Sequence, residues 1–343
     1  MRGKLSSRKS QILKAIVLEY INTAEPIGSR TLVKRYNIGL SPATIRNEMA
    51  DLEELGFLVQ PHTSAGRIPS QQGYRYFVDN LLEEIYTDDL NLLDLKKYYS
   101  GKIDDLNQLI TETASVLSNI TNYTSVVLST PNPSITLKHL DFIQLNQREG
   151  LILFVTDTGI VQHKKITFNY SFNREELEII LQVLKSKLIN KRLSKSEKQL
   201  LDDITTGFKH SPILEEFANT VISSLLGENP TKVVTGGTTN FLSQPEFNDI
   251  GKIRELLTVF EQQDLLISLL EHHNEGEHGS VSVVIGDELI INQMRQCSLI
   301  TANFDLDGKI TGKIGILGPQ RMDYEKVIKI LDFFTKNFKK LIE

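Results

Sequence analysis

Apolar positions over residues 8–22, RKSQILKAIVLEYIN, fall at Ile12, Ala15, Ile16 and Tyr20, with Glu19 sharing the spacing and Leu13 and Val17 widening the face. Intervals of three and four predict a helix. Thr23-Ala24-Glu25-Pro26-Ile27-Gly28 interrupts it. Ser29 is placed to cap a second, short helix through about Tyr36, with Leu32 and Val33 inward and Arg30, Lys34 and Arg35 outward. Asn37-Ile38-Gly39-Leu40 reads as a tight turn in which Gly39 takes a positive φ. In SPATIRNEMADLEELGFL, Ser41 caps a third helix, Pro42 occupies its first turn where no amide donor is missed, and Gly56 ends it. Ile45, Met49, Leu52 and Leu55 form its apolar face, while Thr44, Arg46, Asn47 and Asp51 point elsewhere. A short apolar strand from Phe57 to Val59, a polar loop with Gly66 and Arg67, and a return through Ile68 follow. Three helices and then a hairpin is the order of a winged helix-turn-helix, expected over residues 1–80.

Residues 74 to about 123 keep a helical pattern, with Phe77, Leu81, Ile85, Leu106, Leu109, Ile110, Val116 and Leu117, and residues 81–125 read as a helical linker or interface. From Leu137 the period changes to two. Three β-rich segments follow, joined at Arg148-Glu149-Gly150 and Asp157-Thr158-Gly159. Helical patterns return from Arg174 to Leu226 and from Ile250 to Leu270; strands resume with VSVVIGDELI and CSLITANFDLDGKITGKIGILGP, where Asp307-Gly308 is a further hairpin turn, and a helix closes the chain. Strands split by a long helical stretch predict a multi-domain α+β protein in which one domain, residues 126–170 and 246–343, is interrupted by an insertion over 171–245.

Composition changes this picture in two places. The chain of 343 residues is 40% hydrophobic and 24% charged, holds no apolar run of membrane-spanning length, and opens on an amphipathic segment, so a cytoplasmic protein without a membrane partner is expected. The net charge of -5 is unevenly placed: residues 1–48 hold nine Lys or Arg against three acids, a balance of +6, which leaves -11 for the remainder. A basic head on an acidic body points to a polyanion for the head alone. The short hydrogen-bonding and small groups Ser41, Pro42, Ala43 and Thr44, with Arg46 suited to guanine and Asn47 to adenine, stand at the start of the third helix. Arg30, Lys34, Arg35 and Arg67 are placed to grip phosphates. Arg46 is also able to bond a phosphate, and Glu48 and Asp51 lie close enough in sequence to pair with it or with Arg35. A helical hairpin with a solvated polar face has the same pattern.

Chemistry of other kinds finds little support. Cys297 is the one cysteine, which excludes an intrachain disulfide and a thiolate zinc cluster and reads as a small buried residue. Gly236-Gly237-Thr238-Thr239 lacks the spacing and lysine of a phosphate loop and reads as a turn. His272, His273 and His278 lie in a polar loop able to hold a metal adventitiously, and Asp305-Leu306-Asp307-Gly308 lacks the rest of a calcium loop. No nucleophile, base and orienter assemble, and no enzyme and no cofactor are expected. A body that senses a small metabolite is the second reading of the chain.

The runs EPIGSRTLVKRY, GLSPATIRNEMADLEELGFL and QPHTSAGRIPSQQGYRYFVD, followed by GGTTNFL (236–242), QCSLITA (296–302) and GILGPQRMDY (315–324), closely resemble the HrcA family of bacterial heat-inducible transcription repressors. The resemblance implies a winged-helix head, a GAF-like body and a dimerisation domain inserted into that body. It implies a homodimer that represses chaperone operons from an inverted-repeat operator in double-stranded DNA, the CIRCE element. It also implies that heat inactivates the repressor and that the chaperonin GroEL maintains it. It assigns no base contact residue by residue.

Overall fold

The computed structural model describes residues 5–62, 65–82, 106–131, 135–156, 161–168, 171, 174–193, 231–272, 281–306 and 310–342. Three helices lead. In α1 (Ser7–Thr23) the Ser6 side chain accepts from the Lys9 amide and left-handed Ala24 closes the end. α2 (Ser29–Arg35) starts one residue earlier than expected: Gly28 is the cap, with no side-chain cap bond, and Ser29 is already helical. α3 (Pro42–Glu54) is as the sequence predicts, with Ser41 as cap, Pro42 in the first turn, and Gly39 and Gly56 at positive φ of 69° and 83° on either side. Ile12, Ile16, Leu32, Ile45, Leu52 and Phe57 are buried together. Each contributes about 1.5–3 kcal/mol relative to exposure. Val33 and Leu55, expected inward, are exposed; Leu55 lies past the last helical residue of α3, at its C-cap.

The hairpin follows as β1 (Leu58–Val59) and β2 (Ile68–Pro69), antiparallel with Leu58 opposite Pro69. Phe57, expected in the strand, lies just before it. The Arg67 amide and carbonyl exchange 2.9 Å bonds with Ile27, which ties the loop to the entry of α2. Gly66 permits this approach: a Cβ there would lie 2.3 Å from the Ile27 carbonyl oxygen. α4 (Gln71–Asn80) is capped by Ser70 and buries Tyr74 and Phe77.

The body is built on α5 (Leu106–Thr121), β3 (Thr124–Pro131), β8 (Lys232–Gly236), β9 (Val281–Ile285), β10 (Cys297–Leu306), β11 (Ile310–Pro319), and three helices, α7 (Ile250–Glu261), α8 (Gln263–Glu271) and α9 (Tyr324–Ile342). The strands form one antiparallel sheet in the order β8-β3-β11-β10-β9. Val127, Ile300, Ile314 and Ile316 share a core with α5, α9 and the head. Val126, Leu128, Leu299 and Leu317 share another with α7 and α8. β3 was not expected as a strand: with Val126 and Val127 buried on opposite faces, it has no alternation to read. The single helix expected over 250–270 is two, divided at Gln262, which caps the end of one and the start of the next.

A second sheet stands apart, with β4 (Ile135–Gln144), β5 (Glu149–Thr156), β6 (Val161–Thr167) and β7 (Arg192–Leu193) in the order β6-β5-β4-β7, covered by α6 (Arg174–Leu188). Strict alternation along β5 marks a sheet with one open face. The strands of 135–167, expected in the interrupted domain, form a sheet of their own, and β8, expected in the insertion, pairs with β3 in the five-stranded sheet. The turn expected at Arg148-Glu149-Gly150 sits earlier, with Glu149 and Gly150 already in β5. Asp157-Thr158-Gly159, Asp307-Gly308, Ile85 and the helical pattern over 194–226 lie outside the described residues.

Candidate nucleic-acid interface

Helical geometry divides α3 sharply. Ile45, Met49 and Leu52 are buried, while Ala43, Arg46, Asn47 and Ala50, at intervals of three and four, are all exposed. Ser41 and Pro42 extend this open stripe past the helix start. The Ser41 hydroxyl accepts from the Thr44 amide at 3.1 Å and lies 2.9 Å from the Thr44 hydroxyl, so both short side chains are held at the helix N-terminus. That terminus carries the positive end of the helix dipole.

The acids beside the stripe are occupied elsewhere. Lys9 on α1 donates to Glu48 and to Asp51, both at 2.8 Å, and Arg8 reaches Glu48 at 3.5 Å. These bonds, to Asp51 first and Glu48 second, raise the Lys9 ammonium above its ordinary range. Neither acid pairs with Arg46 or Arg35, the two partners their spacing suggested. Among the described residues Arg30, Lys34 and Arg46 have no acidic partner, and all three are exposed.

Two further candidates are tethered. Arg35 pairs with Glu19, a buried carboxylate on α1 that also accepts from the Tyr36 hydroxyl at 3.3 Å. Burial, then the charge of Glu19, pushes the Tyr36 phenol up. Arg35 is otherwise open, with 59% of its side chain exposed, so it still faces solvent. Arg67 donates from Nε to Glu53 at 2.7 Å and is only 21% exposed. Arg30, Lys34, Arg46, Asn47 and the Ser41–Ala43 segment are thus each exposed on the head, while Arg67 is anchored at the hairpin. Sequence reasoning missed Lys9, Arg8 and Glu53, which pair across elements; the signal for Glu19 was present, as an acid at an apolar helical position.

The remaining motifs are structural. At Gly236-Gly237, Gly237 has φ 63° and its carbonyl accepts from the Thr124 hydroxyl at 2.9 Å, while Asn240 donates to the Tyr123 and Ser118 carbonyls. The GGTTN run therefore ties β8 to β3 and α5. Cys297 is buried, and burial pushes its thiol up. Among the described residues no group of three metal-ligating side chains occurs, and no helix is long and apolar enough to cross a membrane. His273 and His278 lie outside the described residues.

Comparison with known proteins brings the two ends of the chain together. The family described as HrcA protein C terminal domain matches residues 107–328. A heat-inducible transcription repressor HrcA from Pelotomaculum thermopropionicum is 41% identical over 99% of this chain and 97% of its own length. The protein of the same description from Natranaerobius thermophilus is 41% identical over 95% and 94%. A solved structure described as a hypothetical protein at 2.2 Å resolution covers 99% of both chains with a TM-score of 0.64 at 23% identity, which supports the fold alone.

Proposed function

Because the chain belongs to the HrcA family of heat-inducible transcription repressors, we propose that its head is a winged helix-turn-helix that reads double-stranded DNA through α3. The observation that carries this reading is the open stripe Ala43, Arg46, Asn47 and Ala50, whose neighbouring acids are already neutralised by α1. In this reading Arg46 and Asn47 meet base edges in the major groove, the Ser41–Thr44 segment meets a phosphate and a base edge at the helix N-terminus, and Arg30, Lys34 and Arg35 grip the backbone. Arg67 places the wing.

The chain acts as a homodimer in the cytoplasm on an inverted-repeat operator, CIRCE, one head per half-site, since a two-fold protein matches a two-fold site. The five-stranded domain is GAF-like, and the sheet of 135–167 with α6 belongs to the inserted dimerisation domain, which therefore begins earlier than residue 171. Exposed Ile143, Leu145, Val161 and Ile179 support a partner-facing role for that unit. Heat removes the active dimer, and GroEL restores it.

Fluorescence anisotropy with the operator duplex and a scrambled duplex of equal length tests the reading. Operator preference at moderate salt, with affinity that falls steeply as salt rises, is expected from counterion release. Equal affinity for both duplexes contradicts it. Heated protein refolded with GroEL and ATP is expected to regain a larger operator-binding fraction than protein refolded alone; equal fractions exclude the chaperonin step.

A further inference from the structure

The head is fastened to the body at two points, each an arginine that crosses from one to the other. Arg321 lies in the GILGPQRMDY run, between β11 and α9, and is 12% exposed. It donates from Nε to Glu246 at 2.5 Å and from Nη1 to the Ile21 carbonyl at 2.5 Å. That carbonyl belongs to the last turn of α1, where helix carbonyls lack intrahelical partners and a cation is favoured. α1 has no basic residue of its own in that turn. The body therefore supplies the C-terminal cation that the first helix of the head lacks.

The second fastening runs the other way. Arg75 on α4 donates to the Val283 carbonyl at 2.8 Å and reaches Glu288 at 3.3 Å. Val283 is on β9, the edge strand of the five-stranded sheet, so the head takes a bond that no neighbouring strand takes. On the same side Gln71 accepts from the Asp287 amide at 3.0 Å. Between the two points the Tyr74 and Tyr324 rings stand 5.9 Å apart in the shared core.

We propose that Arg321, with Arg75 as its counterpart, is a positioning residue for DNA recognition: it sets the angle at which the head leaves the body, and hence the half-site spacing that the dimer accepts. This rests on the repressor reading. A guanidinium suits the task because its rigid planar fork fixes the directions of the bonds to a carboxylate and a carbonyl together, whereas a lysine ammonium is a point charge on a flexible stem and a glutamine amide carries no charge. Two fastenings on different elements prevent the swivel that either alone would leave.

The test varies the spacer between inverted half-sites by one to five base pairs, five being about half a helical turn. Wild type is expected to bind the native spacing at least tenfold more tightly than the five-base-pair variant. Arg321→Gln is expected to flatten that profile to within about threefold, and Arg321→Lys to flatten it similarly. A variant that is merely less stable lowers the active fraction equally at every spacing and leaves the normalised profile unchanged. Gln71→Ala, at the other fastening, is a milder second variant expected to broaden the profile by about twofold. A normalised profile equal to wild type in folded Arg321→Gln, or in Gln71→Ala should the first fail to fold, overturns the proposal. A flat profile in a wild type that still prefers operator to scrambled DNA overturns it too, whereas no operator preference at all overturns the repressor reading beneath it.

Discussion

Arg8 and Lys9 on α1 face Glu48 and Asp51 across the α1–α3 contact, whereas Arg30, Lys34 and Arg46 on the next two helices face no acid among the described residues. Both groups belong to the same basic head. Charge counting gives them equal weight, yet the first group is engaged with acids and the second is not. In the proposed reading the first group has a different role: it occupies the two acids that would otherwise compete with DNA for Arg46. On that proposal, basic residues divide into those that clear a reading face and those that form it.

The largest expected effect separates bases from phosphates within the second group. Arg46→Ala should lose roughly 1–3 kcal/mol of preference for operator over scrambled duplex in anisotropy titrations, while Lys34→Ala should weaken both duplexes alike and reduce the salt slope by about one. Equal weakening by Arg46→Ala would move Arg46 into the phosphate-gripping group.

A smaller effect sharpens the role of the first group. Lys9→Gln leaves Glu48 and Asp51 beside the stripe without their amine partner, so affinity for both duplexes should fall a few-fold, more at low salt than at high, because the freed acids are screened. Unchanged affinity at low salt would mean that the acids never compete for Arg46. The smallest effect is on stability. A surface ion pair contributes about 1 kcal/mol or less. The folded state raises the Lys9 ammonium above its ordinary 10.5, so its contribution is fully present below pH 10.5 and is lost as pH rises through the folded value. Alkaline unfolding followed by circular dichroism should therefore destabilise wild type more than Lys9→Gln above that pH. A constant difference across the range would remove the ion pair as its cause.

The head was more legible in the sequence than the body, for reasons visible in particular residues. Ser41, Pro42 and Gly56 act within a few positions of themselves, so the limits of α3 could be read directly. Gly28 rather than Ser29 caps α2 because backbone conformation, with no side-chain bond, decides that end. In the body, Val126 and Val127 gave no alternation because both faces of β3 are covered. Gln262 divides two helices whose apolar residues, Leu256 and Val259 before it and Leu266 and Leu269 after it, enter one core, so the pattern runs through the break.

Helix limits in the head, the apolar faces and the asymmetry of charge are properties of the chain alone, since periodicity, capping and composition act over a few residues. Which cations remain for a partner, which sheet a strand joins and how the head is fastened were decided only by tertiary structure. Arg35 meets Glu19 across 16 positions, and Arg321 meets the end of α1 across 300. An ion pair or an orphan carbonyl finds its partner through the folded path of the backbone, which no local pattern encodes.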